Sequence, residues 1–383
     1  MARAWRAAAL LLLNTLFLLA VAEGLAAAIL WWTGPRPGAP VSEADRAAQV
    51  LSDDLDRLTV DYWPHVGWRA HPLRSRTLNV DDGGNRVTPG AACEAGVFTV
   101  FVFGGSSVFG YGVADADTLP ARLHGALTTR LGRPVCLRNF GQFGWSSTQG
   151  VIALLRELQE RPAPELVVFY DGFNDVNILG DDGVGGGAPR GAPDYDGAVA
   201  VARADRHGAV TALLELLRSS HLWEAVVRWR RAWRPAPSSP AGDQPPVTTP
   251  DAIVRAYITN VEAVRAIAGA HGFQAAFFWQ PTLWVKAGAR TADEQRLLAD
   301  GPVRQGAPAL LQATYPLVAA EAGRRAGLFY LGDIFDTTPA PTPYLDECHL
   351  TPAGNAAVAA RIAGLLGAAG MLDADRNRSA GGA

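Results

Sequence analysis

The sequence predicts an α/β protein built on a parallel sheet, and three observations carry that expectation. Apolar runs rich in β-branched and aromatic residues at 97–103, 135–140 and 166–170 read as strands buried on both faces. Segments with helical spacing alternate with them, the rhythm of a sheet wound with helices on both sides. Each strand also breaks into a glycine-containing polar turn: Gly104-Gly105-Ser106-Ser107, Gly141-Gln142-Phe143-Gly144-Trp145 and Asp171-Gly172-Phe173-Asn174-Asp175. Three such turns converge on the carboxyl edge, where parallel sheets place their sites.

Composition narrows the function classes. Of 383 residues 49% are apolar, ample for a large core, and a net charge of −3 with interspersed signs provides no basic field for nucleic acid. Cys93, Cys136 and Cys348 have no metal-ligand spacing, and the seven histidines form no H-E-x-x-H pattern, so neither metal nor cofactor is expected. Cys93 precedes the first strand and Cys136 begins the second, which puts both near one edge of a parallel sheet. The alternatives are a Cys93–Cys136 disulfide and two reduced buried thiols.

At the amino-terminal end, Arg3 and Arg6 precede an apolar run at 7–32 that ends in Trp31-Trp32. At about 1.5 Å per residue it is long enough to cross a hydrocarbon core of about 30 Å, so residues 1–33 read as a membrane anchor with the remainder outside the cytoplasm. Ala20-Val21-Ala22 supplies the competing reading, a cleaved signal peptide followed by a secreted domain. Glu23 is the awkward residue in lipid. Residues 34–96 then form a Pro/Gly linker, a short polar helix at 43–58 and an irregular β-containing accessory segment at 62–89.

Residues 97–369 form the main domain. Helices are expected at 119–131 and 149–159, then an insertion at about 180–250 containing a Gly/Asp-rich loop and an amphipathic helix at 211–233. That helix, with Trp229 and Trp233 opposite Arg228 and Arg231, reads as a cap on the domain, with a membrane-surface helix or a lid as alternatives. Thr249-Pro250 starts a helix to about residue 270, a strand follows at 275–280, a helix at 307–326 and a strand at 328–331. Thr351-Pro352 starts the last helix, and 370–383 is a polar tail. Trp145, Trp279 and Trp284 read as core, with sugar stacking the alternative.

A serine at a strand end becomes a nucleophile when a base takes its proton and a third group orients the base. His349 is the candidate base for Ser106, and Asp346, three residues earlier, can reach the other imidazole nitrogen within one turn. The backbone N–H groups of Ser106 and Gly144 and the Asn174 amide are candidate oxyanion donors, each worth roughly 2.7 to 4 kcal/mol in other enzymes. Gly105, Ser107 and Asp171 are candidate pocket residues, and Ser107 is the rival nucleophile. The G-x-S-x-G elbow is absent.

Together, Gly104-Gly105-Ser106-Ser107, Asn139-Phe140-Gly141-Gln142-Phe143-Gly144, Gly172-Phe173-Asn174-Asp175 and Asp346-Glu347-Cys348-His349 resemble the four blocks of the SGNH (GDSL-like) hydrolase family, in order. The resemblance implies a three-layer flavodoxin-like fold with residues 97–103 as its first, central strand. It also implies Ser106 as nucleophile, Asp346 and His349 completing the triad, and Gly144 and Asn174 in the oxyanion hole. One departure is visible: Gly105 stands where the family usually carries an acidic residue. The function implied is hydrolysis of a short acyl ester on an extracytoplasmic glycan or small molecule. An O-acyltransferase sharing the acyl-enzyme and a non-catalytic glycan-binding scaffold are the alternatives.

Overall fold

A five-stranded parallel sheet dominates the computed structural model, which describes residues 2–33, 51–182, 220–221, 248–300, 307–338 and 341–373. Its strands are β3 (Phe98–Gly104), β4 (Val135–Asn139), β5 (Leu166–Asp171), β6 (Gln274–Trp279) and β7 (Leu328–Tyr330), after an antiparallel hairpin of β1 (Val60–Trp63) and β2 (Gly67–Ala70). The spatial order is β4-β3-β5-β6-β7, so β5 is the central strand and β3 lies second from the edge. This corrects the expectation that residues 97–103 are central. The second crossover returns past β3 to its free side and the sheet then grows in one direction, an order that strand composition does not encode.

Alternation along each strand builds two cores. Val100, Val102, Val168 and Tyr170 face one side, where they pack with α3 (Leu119–Leu131) and α9 (Pro352–Ala368) through Leu123, Leu127, Val358 and Ile362. Phe101, Phe103, Val167, Phe169 and Trp279 face the other, against α4 (Ser147–Glu160), α6 (Pro250–His271) and α8 (Ala307–Ala322). Helix, sheet and helix thus form three layers, as expected, and Trp145 and Trp279 are core residues with no face left for stacking on a sugar.

Threonine-proline pairs start the helices as the sequence suggests. Thr249 and Thr351 accept from Ala252 N and Gly354 N, and the following prolines occupy first-turn positions where no N–H is needed. Helix α4 begins two residues earlier than expected, because Ser146 and Gln149 form a reciprocal capping box. Three helices were not foreseen: α2 (Ser106–Phe109), α5 (Phe173–Asp182) and α7 (Ala292–Asp300). Of the accessory segment, residues 51–57 are helical, β1 and β2 pair from Val60↔Ala70 to Trp63↔Gly67, and isolated bridges join Leu73 to Val80 and Val80 to Arg86.

Cys93 and Cys136 form a disulfide, the first of the two alternatives, with Cα atoms 4.7 Å apart across 43 residues, and Cys348 is free and buried. A loop of that length stabilises by about 4 kcal/mol in the chain-entropy account.

By contact the chain divides into two units, Met1–Ser42 with Asp196–Ala241, and Glu43–Tyr195 with Gly242–Ala383. The first contains α1 (Ala2–Thr33), on which Leu13, Phe17, Leu18, Leu25 and Ile29 are exposed. The α1 side chains that are described are those of residues 13–15 and 17–29, and among the described residues no helix is long and apolar enough to cross a membrane. The expected transmembrane helix therefore has no support from the described residues. Glu23 is engaged rather than bare, since its Oε1 accepts from His221 N at 2.5 Å and lies 2.9 Å from His221 Nδ1. Most of the 180–250 insertion, including all but residues 220–221 of the expected 211–233 helix and most of the Gly/Asp-rich loop, lies outside the described residues, as does most of the 370–383 tail.

Candidate active site

The turns after β3, β4 and β5 meet because the strand ends are in register. Gly104 pairs with Tyr170, and Val102 with Asn139. At this convergence the backbones touch. A Cβ on Gly104 would lie 2.3 Å from Tyr170 O, and one on Gly141 would lie 2.4 Å from Phe109 N. Only glycine permits both approaches.

Gly105 is explained by the same crowding. A Cβ there would come within 2.3 Å of Asn174 Nδ2 and 3.1 Å of Trp145 O. Any side chain at this position would require the Asn174 amide to move, which accounts for glycine where the resembled family usually carries an acidic residue.

Ser106 begins α2 and points its hydroxyl at His349, with Oγ 2.7 Å from Nε2. The other ring nitrogen, Nδ1, is 2.6 Å from Asp346 Oδ2. Asp346 Oδ1 accepts from the backbone N–H of His349 at 2.7 Å and of Cys348 at 2.9 Å. With Nδ1–H donated to the carboxylate, Nε2 presents its lone pair to the serine hydroxyl. Burial by itself would raise the Asp346 carboxyl, but the hydrogen bond from His349, its charge and the two backbone donors outweigh it and hold the group below the ordinary carboxylate range.

The loop carrying this pair is pinned on two sides. An antiparallel bridge joins Tyr344 to Leu350, and Leu345 N donates to His349 O at 2.8 Å. Glu347 O accepts from Thr282 Oγ1 at 2.7 Å and Leu283 N at 2.8 Å, tying the loop to the end of β6. Thr351 then caps α9, so the histidine is held between a bridge and a helix start.

Ser107 does not compete for the base, since its hydroxyl faces Cys348 O at 3.5 Å. Cys348 is no nucleophile either, because burial and the charges of Asp346 and Glu347 push its thiol far up. Asp346, Cys348 and His349 present donor atoms within 4.8 Å of one another, a spacing a metal could use. Both imidazole nitrogens are already engaged, however, so a metal would have to displace Ser106 or Asp346.

Asn174 Nδ2 donates to Trp145 O at 2.9 Å, leaving its second N–H. Among the described residues, the backbone N–H groups of Ser106 and Gly144 donate to no backbone acceptor outside regular elements. Gly144 has φ +64°, a left-handed conformation that suits glycine.

Sequence reasoning missed the residues that support these turns from the accessory segment. Arg86, 1% exposed, donates to Gly110 O at 2.6 Å, Val113 O at 2.7 Å and Asp115 Oδ1 at 2.8 Å, so it closes the chain behind α2. Trp68 and Gln142 tie the second turn to β2. Tyr111, half-exposed, lies with its ring centroid 4.6 Å from that of His349. A density of aromatic and turn residues at 62–89 was the only signal, and it does not say what they touch.

Asp171, at the end of β5, is buried. It is 3% exposed, and neither carboxylate oxygen has a hydrogen-bond partner among the described residues. Asp175 next to it accepts from Gly172 N at 3.3 Å and from Ser147 N at 3.1 Å and its hydroxyl, joining the second and third turns. Burial pushes both carboxyls up, and for Asp171 the neighbouring Asp175 adds to the effect. The folded pair therefore holds protons to higher pH than the unfolded chain, which releases them at about pH 4. Stability is lost as pH climbs from there towards neutrality. Asp171→Asn, which keeps the shape and cannot ionise, is expected to raise the urea midpoint at neutral pH and flatten its decline above about pH 4. A midpoint no higher than that of the parent would contradict this.

No protein-family model matches the chain, and none of the curated proteins matches it. Solved structures resemble it weakly. A carbohydrate acetylesterase family member from Sinorhizobium meliloti shares 18% identity over 70% of this chain and 99% of its own, with TM-score 0.33. An aryl esterase of M. smegmatis shares 14% over 70% and 98%, with TM-score 0.39. A member of the lipolytic protein G-D-S-L family from Veillonella parvula shares 10% over 68% and 93%, with TM-score 0.36. At these scores none of them decides what this chain acts on.

Proposed function

We propose that this chain is a serine-dependent carboxylic-ester hydrolase of the SGNH type. The observation that carries the reading is the unbroken relay from Ser106 Oγ through His349 to Asp346, at 2.7 and 2.6 Å. Ser106 attacks the ester carbonyl while His349 Nε2 takes its proton, and His349 then protonates the leaving alcohol. Asp346 keeps Nδ1 protonated and stabilises the imidazolium. Ser106 N–H, Gly144 N–H and the second N–H of Asn174 receive the oxyanion, and water resolves the acyl-enzyme by the same base.

The substrate class is a short acyl ester, such as an acetyl group, on an extracytoplasmic glycan or a small molecule. The Cys93–Cys136 disulfide supports an oxidising compartment outside the cytoplasm. Attachment to a membrane through residues 1–33 rests on the apolar sequence of that segment and its leading arginines.

A fluorophosphonate probe tests the reading. The unmodified protein and Ser107→Ala are expected to label, and Ser106→Ala is not; labelling that survives Ser106→Ala, or fails in the unmodified protein, would refute it. A second expectation concerns the crowded junction. Gly105→Ala meets only a side-chain amide at its closest contact, so it costs little stability but displaces Asn174. Its kcat/KM should fall about tenfold or more with a melting temperature near that of the parent, since one oxyanion donor is displaced. Unchanged kcat/KM would separate Asn174 from the oxyanion hole.

A further inference from the structure

The hairpin β1–β2 lies outside the sheet, yet its second strand grips the turn after β4 through three hydrogen bonds, and Gly84 of the accessory segment adds a fourth. Trp68 Nε1 donates to Phe143 O at 2.7 Å, and Trp68 O accepts from Trp145 Nε1 at 3.1 Å. Gln142 Oε1 accepts from Ala70 N at 2.9 Å, and Gln142 Nε2 donates to Gly84 O at 2.7 Å. Trp68 is 6% exposed, and its ring would lie 3.5 Å from a Cβ placed on Gly144.

The two Trp68 bonds bracket Gly144 and constrain it through peptide geometry. Phe143 C=O and Gly144 N–H belong to one planar trans peptide unit, so they point in opposite directions. Anchoring the carbonyl oxygen therefore sets the direction of the N–H. Gly144, in the left-handed region without a Cβ, puts little intrinsic resistance in the way of rotating that peptide unit. The indole N–H also polarises the amide, strengthening its N–H as a donor.

We propose that Trp68 is a positioning residue for the Gly144 oxyanion donor, which makes the accessory hairpin part of the catalytic apparatus. The inference rests on the hydrolase reading above. Trp68 touches no reacting atom; it acts on the transition state through the Phe143–Gly144 peptide.

The test compares the unmodified protein with Trp68→Phe and Trp68→Tyr, which keep an aromatic ring and remove the indole donor. Turnover of p-nitrophenyl acetate and inhibition by a trifluoromethyl ketone, which forms a tetrahedral adduct on the serine, are measured for each. The expected result in Trp68→Phe is a kcat about tenfold lower, KM within about twofold, and ketone affinity weakened by the factor lost in kcat/KM. A purely structural role would leave the ketone affinity of the folded fraction intact. An active parent with equally active Trp68→Phe overturns this inference alone, as does loss of the circular-dichroism spectrum in both variants, which would make Trp68 a packing residue only. A parent without turnover overturns the hydrolase reading and this inference with it.

Discussion

The parallel register of β3, β4 and β5 is the constraint on which the rest depends. It ends three strands at one edge and forces their turns into backbone contact, with Gly104 against Tyr170 O and Gly141 against Phe109 N. Close-packed backbones leave little freedom, so Ser106 and Asn174 are set by the sheet rather than by their own loops, while the Gly144 peptide is held by the Trp68 bonds on either side of it. Gly105 extends the logic, since its missing side chain is the space occupied by the Asn174 amide. The unusual glycine and the oxyanion candidate are two sides of one contact.

Charge is distributed around that edge in two different ways. Asp346 is partly buried but supplied with three donors, His349 and two backbone N–H groups, and so stays ionised. Asp171 is buried without a partner among the described residues and stays protonated, with Asp175 beside it bonded to Ser147 and Gly172. One carboxylate orients the base. The other pair braces the turns behind it at a cost in stability near neutral pH.

Much of this was legible in the sequence because it is local. Strand runs, Thr-Pro helix starts and the three-residue step from Asp346 to His349 all reflect short-range geometry, and the structure places each close to where the residues suggested. What was not legible is non-local. The rank of β3 in the sheet depends on which side the chain returns to, and the burial of Asp171 depends on β6 pairing alongside it. Trp68 and Arg86 carry no motif, and Gln142, although it stands inside the second motif block, gives no sign there of its partner, since what matters is the distant carbonyl each reaches. Helix α5 was hidden behind the turn signal of Gly172-Phe173-Asn174-Asp175, which also starts a helix.

The central claim is that Ser106 forms the covalent intermediate, activated by His349 across 243 residues of chain. The most direct measurement is peptide mass spectrometry of protein quenched in acid during turnover of p-nitrophenyl acetate. The account predicts an acetyl group on Ser106, present at early times and depleted once substrate is exhausted. Turnover with no acetylated serine, or with the acetyl group on Ser107 instead, would contradict it.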